Sequence, residues 1–316
     1  MIAKLKHHKL HIRISILCVL VILCTASAEL LPKTYDIDTG FRPRQNGFSF
    51  ENYGNDLCSD VFCMKSAPIQ NLTGNEMRRL FGDRVCKRIL EDGSCELLKV
   101  AESWMSEVNE AMDEGHCEGM AVLTALFFAG ILDPSAYGSE FVNQLRLEEN
   151  TALQQEIAYW YATQWYINES LIEEDPATQL GILIEEFTKH PNILIPLGIY
   201  KRDFSEGHAI LAYAVQQKED GIYWIMVYDN NYPDEERHLE INTKANTWQY
   251  SGKAMVDLEE DLYDGEGDTN PFQIAPINAR LGRFNCDFCP INASSPWAEE
   301  VTEESSESPS PWNAPS

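Results

Sequence analysis

An α+β fold, with helices in the first half and an antiparallel sheet after them, is predicted from three observations. Between residues 71 and 190 apolar side chains recur at helical spacing, as in Leu97, Val100, Ala101, Trp104 and Val108. After Pro191 the pattern becomes short apolar and aromatic runs over residues 193–199, 209–215 and 222–228, with 238–241 as a fourth. The polar stretch 216–221 between two of these runs has the composition of a hairpin loop. Helices followed by strands is the order of an α+β domain.

Taken from the start, Lys4, Lys6, Lys9 and Arg13 precede the apolar run 14–24, and Ala26-Ser27-Ala28 supplies the small residues of a cleavage site. Residues 1–28 therefore match a secretory signal peptide whose apolar part is too short for a membrane span. Leu23, ahead of Cys24, is too large for lipoprotein processing. No later run approaches the roughly 18 apolar residues a spanning helix needs, so a secreted or extracytoplasmic protein without stable membrane insertion is expected.

Residues 29–290 are expected to form one domain. It begins with an irregular strap over residues 29–55, where Gly, Asn and Pro force turns and the aromatics between them call for burial. Thr73, with Glu76 three residues on, fits a capping box for a short helix through Met77, Leu80 and Phe81. A longer helix is expected over residues 96–112, and further helical text runs from 133 to 190. The aromatics Tyr159, Trp160, Tyr161, Trp165 and Tyr166 there are expected in the core. Residues 291–316, rich in Ser, Glu and Pro, are expected to be a disordered acidic tail. Asn71, Asn168 and Asn292 begin glycosylation acceptor triplets.

The chain carries 24 lysines and arginines against 50 aspartates and glutamates, a net charge of −26. Four of the basic residues leave with the signal peptide, so the mature chain is more acidic still. Such a field disfavours nucleic acid and anionic membrane surfaces as partners.

Of nine cysteines, Cys18 and Cys24 belong to the leader. Six of the others fall into neighbouring couples, Cys58 with Cys63, Cys86 with Cys95 and Cys286 with Cys289, which proximity suggests as disulfides in an oxidising compartment. Cys117 is left over. It lies in Gly115-His116-Cys117-Glu118-Gly119-Met120-Ala121, directly before a long apolar run, which places a thiol in the first turn of a buried helix. Unpaired N–H groups and the helix dipole there favour the thiolate.

A nucleophilic thiol needs a base and a group that orients the base. His208 starts one arm of the expected hairpin, and Asp229 ends the other. Directly opposed residues share a face, so an even loop places both side chains together, whereas an odd loop would select Asn230 instead. His116 is poorly aimed at its neighbour's sulfur, because adjacent helical residues diverge by about 100°. No Cys/His spacing fits a zinc site, and no organic cofactor is indicated.

With these residues in hand, Gly-His-Cys117-Glu-Gly-Met-Ala, Gly-His208-Ala-Ile-Leu-Ala-Tyr and Val-Tyr-Asp229-Asn-Asn-Tyr-Pro resemble the papain-like cysteine peptidase superfamily. The likeness is nearest to its bacteriocin-processing, double-glycine-leader branch. The resemblance implies a helical half bearing Cys117, packed against a sheet half bearing His208 and Asp229, with the site between them. It also implies a glutamine shortly before the cysteine to stabilise the oxyanion. Here that stretch is Asn109-Glu110-Ala111-Met112-Asp113-Glu114, so Asn109 is the side-chain candidate, with the Cys117 N–H as second donor.

The expected function is a secreted cysteine hydrolase, a peptidase acting on a peptide or protein substrate. Its first rival is a weak or inactive papain-like binding protein at the cell surface. Other acyl-transfer chemistry on the same triad is a further reading, as is a thiol oxidoreductase built on Cys286-Asp287-Phe288-Cys289.

Overall fold

A computed structural model describes residues 36–55 and 68–289. The expected signal peptide, Cys58 with Cys63, the Asn292 triplet and the acidic tail lie outside the described residues.

The strap is laid down by its aromatics. Strand β1 (Ile37–Asp38) adds to the edge of a long later strand, β5 (Gly207–Glu219), through Ile37 opposite Val215. Phe41, Phe48 and Tyr53 are then buried along its path. Phe41 sits among the rings of Phe128, Tyr213 and Tyr228, joining helix to sheet.

Helix α1 (Gly74–Phe81) starts at the Thr73 capping box with Glu76 and buries Met77, Leu80 and Phe81. Strands β2 (Cys86–Ile89) and β3 (Cys95–Leu97) form a small hairpin closed by the Cys86–Cys95 disulfide. That hairpin corrects the expected helix over 96–112. Residues 95–97 are held extended by strand pairing, and helix α2 begins only at Lys99 (Lys99–Ala111).

Helix α3 (Cys117–Phe128) is apolar nearly all round, as a central helix must be. Helix α4 (Thr151–Ala162) crosses it at Gly119, where an added Cβ would stand 2.1 Å from the Ile157 carbonyl oxygen. This close approach fixes the start of α3, two residues from Cys117. Helix α5 (Pro176–Lys189) begins on Asp175, whose carboxylate accepts from the Ala177 and Thr178 N–H groups. Residues 142–144, expected within helical text, make only a 3-10 turn.

The sheet is wholly antiparallel and curled. Its remaining strands are β4 (Ile195–Tyr200), β6 (Ile222–Tyr228), β7 (Arg237–Asn242), β8 (Thr247–Gly252), β9 (Asp261–Glu266) and β10 (Gln273–Ile274). They run in the order β10-β4-β5-β6-β7-β8-β9, with β1 on β5. Asn270 ties the curl, its Nδ2 donating to the Tyr200 carbonyl at the end of β4 (2.9 Å) and to the Asp264 carbonyl in β9 (2.7 Å). Two apolar cores result. One joins α1 to α4 with the strap, while the other packs Leu180, Leu183 and Phe187 of α5 against Ile195, Ile210, Val227 and Trp248 of the sheet.

Candidate functional site

Cys117 is the first residue of α3, half-buried and unpaired, whereas Cys86–Cys95 and Cys286–Cys289 form disulfides. The turn before it is held from the strap. Gly115 has φ +124°, and a side chain there would meet Met255 and Asn52; the Asn52 Oδ1 accepts from the His116 N–H at 2.8 Å. Cys117 and Glu118 at the helix start border the cleft, and no side chain caps this end of the helix.

The hairpin reaches the expected pairing of His208 with Asp229 by a different route. Its loop is not residues 216–221: β5 runs on to Glu219, and only Asp220 and Gly221 turn the chain, Gly221 taking φ +89°. Two bulges then each shift the register by one residue, between Gln217 and Glu219 and between Ala212 and Ala214. One bulge alone would send every later side chain to the opposite face; the second restores the parity. His208 and Asp229 consequently share a face, and His208 Nε2 lies 2.7 Å from Asp229 Oδ1 with both side chains fully buried.

Asp229 is held on all sides. Besides the imidazole, it accepts from the Asn231 N–H at 2.8 Å and from the Tyr250 hydroxyl on β8. Asn230 serves the opposite face. Its Nδ2 donates to the carbonyls of Cys117 (3.0 Å) and Ala209 (3.4 Å), so one buried amide bridges the Cys117 helix and the His208 strand.

The electrostatics follow from these contacts. Burial opposes charge on the His208 ring, but the field and hydrogen bond of Asp229 outweigh it and raise the histidine well above its ordinary range, with Cys117 acting in the same direction. For Asp229, burial pushes up, yet His208, Tyr250 and the Asn231 N–H together hold it below the usual carboxylate range. Cys117 acts on the ring both as a hydrogen-bond partner and through its charge, and His208 Nδ1 is buried with no other partner among the described residues. Asn230 Oδ1, Asn231 Oδ1 and Arg280 Nε are buried with no partner among the described residues.

A cleft of about 350 Å³ opens between the halves, bordered by both Cys117 and His208. The sheet supplies Gly198, Tyr200 and Gly207, and the helical side supplies Tyr161, Gln164 and Trp165. Tyr159 and Trp160 are core residues as expected, but Tyr161 and Trp165 line this cleft, Trp165 being 40% exposed. Asn168 sits exposed on the same rim, whereas the Asn71 amide is committed to Asn55 and His116.

Asn109 is absent from the cleft, which corrects its expected role as oxyanion donor. Its side chain pairs both ways with the Leu72 backbone at 3.1 Å, locking α2 to the segment before α1. His116 is likewise turned inward, stacked on Tyr53, with Nδ1–H donating to the Tyr53 carbonyl at 2.7 Å. Sequence reasoning missed Tyr250, which carries no local motif, and the buried pair of Glu118 with Arg280 at the cleft. Among the described residues, no group of three or more His, Cys, Asp or Glu side chains is placed to share a metal ion.

Comparison of the chain with protein-family models, curated proteins and solved structures finds no match.

Proposed function

We propose that this protein is an exported cysteine hydrolase of papain-like architecture, a peptidase that cleaves an amide bond in a peptide or protein substrate. One observation carries the reading: the free cysteine and His208, itself paired with the buried Asp229, border one cleft, and the ring nitrogen not used by Asp229 has no other partner among the described residues.

In this reading His208 Nδ1 takes the proton from Cys117 Sγ, and the sulfur attacks the substrate carbonyl carbon. The Cys117 N–H at the helix start supports the developing oxyanion. His208 returns the proton to the leaving amine as the C–N bond breaks, leaving a thioester. Water, deprotonated by the same ring, then releases the acid and restores the thiol. Asp229 accepts from Nε2–H throughout, keeping Nδ1 free for the sulfur. Export is supported by two disulfides, and no helix among the described residues is long and apolar enough to cross a membrane.

Substituting Cys117→Ala tests the reading. Turnover of a peptide library and iodoacetamide labelling at residue 117 are both expected to vanish; peptide turnover that survives the substitution rejects it. A second reading, a papain-like binding protein with little or no catalysis, is favoured by the engagement of Asn109 elsewhere. Loss of one oxyanion donor typically costs on the order of 10² to 10³ in rate. A Cys117 that alkylates with an ordinary thiol pH profile, in a protein that turns over no peptide, would select it.

A further inference from the structure

We propose that Arg280 is the charge-compensating residue of the nucleophile: by pairing with Glu118 it cancels a carboxylate next to Cys117 that would otherwise oppose the thiolate. The inference rests on the cysteine-hydrolase reading and concerns a residue that carries no motif.

Glu118 directly follows Cys117 in the first turn of α3, and both border the cleft. A carboxylate on the residue next to the sulfur, bordering the same cleft, disfavours a second negative charge there, working against the helix dipole. Arg280 arrives from the 3-10 turn Ile277–Arg280, 162 residues further on. Its guanidinium is wholly buried, with Nη2 on the Glu118 carboxylate and Nη1 on Thr163 Oγ1 at 2.9 Å.

Arg280 Nε has no partner among the described residues, so the group is held in place at a cost. Burying a cation imperfectly satisfied brings no obvious gain in stability, since apolar replacements of such pairs are often neutral or better. Its position beside the nucleophile gives the cost a purpose.

The other groups around Cys117 leave this pair as the adjustable charge. From β5 comes His208, the proposed base. Tyr200 from β4 and Tyr161 from the end of α4 stay neutral, burial being the largest cause in both and the nearby charges of Glu118 and Cys117 adding to it. Glu114, in the preceding turn, is exposed and screened by solvent.

The test is the pH dependence of iodoacetamide alkylation at Cys117, read by mass spectrometry on the full chain. Arg280→Gln is expected to move the midpoint of the acid limb up by about one pH unit. Glu118→Gln is expected to move it down, and the double variant to return it near the parent value. Singles that both slow alkylation without opposite shifts overturn the proposal, as does a double variant displaced as far as Arg280→Gln. Should Arg280→Gln fail to fold, Glu118→Gln alone decides: a downward shift supports compensation, and no shift or an upward one refutes it. Alkylation needs no turnover, so a failure here is distinct from survival of peptide cleavage in Cys117→Ala, which would reject the hydrolase reading itself.

Discussion

Two buried histidines, His116 and His208, are acted on by burial in the same direction with opposite results. His116, adjacent to Cys117 in the chain, faces a backbone carbonyl and an amide, stacks on Tyr53, and is pushed down to about 4 by burial. His208, 91 positions from Cys117, faces a carboxylate and is raised. Desolvation disfavours charge on both rings, so the partner decides the sign. Closeness in sequence to the sulfur therefore says little about which imidazole can serve it; what counts is which ring keeps a charge partner on one nitrogen and nothing on the other.

The linkage to stability differs accordingly. An unfolded histidine near 6.5 binds more protons than His116 does in the fold, so stability contributed by this site is present above that value and lost as pH falls toward about 4. His208 has the opposite sign: its contribution is complete below the ordinary histidine range and lost only as pH rises through its elevated folded value. Asp229, held low, contributes above the ordinary carboxylate range and loses that contribution on acidification.

The sharpest way to break the contrast is Asp229→Asn, which leaves His208 as uncharged in its surroundings as His116. Peptide turnover is expected to drop by about 10³ to 10⁴, as when the orienting carboxylate of a catalytic triad is lost, and kcat/KM measures it. An unchanged kcat/KM would remove Asp229 from the mechanism. A smaller effect is expected from His116→Gln. Stability at neutral pH should fall by about 1 to 3 kcal/mol as buried hydrogen bonds are broken, and the decline between about pH 6.5 and 4 should flatten; urea melts across that range check both. A pH slope identical to the parent's would mean that His116 titrates normally in the fold. The least effect belongs to Thr73→Ala, which removes the capping box of α1, far from the cleft. About 1 kcal/mol of stability should go, with the Cys117 alkylation rate unmoved.

Helical and sheet residues together border the cleft beside Cys117, and Asn109 stands away from it. The expectation for Asn109 came from the family resemblance, which implies an amide shortly before the cysteine, and a resemblance does not register that this amide is consumed by Leu72. The hairpin shows the reverse case. The loop read from polarity was four residues too long, yet two unforeseen bulges left its parity intact, so the pairing of His208 with Asp229 survived an inexact boundary. The strand over 95–97 was hidden because a short strand before a helix has too few residues to display a period of two against one of 3.6.

What the amino-acid order alone determined was whatever depends on neighbours: the Thr73 cap, the odd cysteine at a helix start, and the apolar runs that become β4, β5 and β6. Tertiary structure decided the rest. Tyr250 on Asp229, Asn230 across the two halves and Arg280 on Glu118 are contacts between segments 21 to 162 positions apart. A hydrogen bond or ion pair needs only two groups within about 3 Å, and folding brings them there without leaving any repeat or motif in the chain.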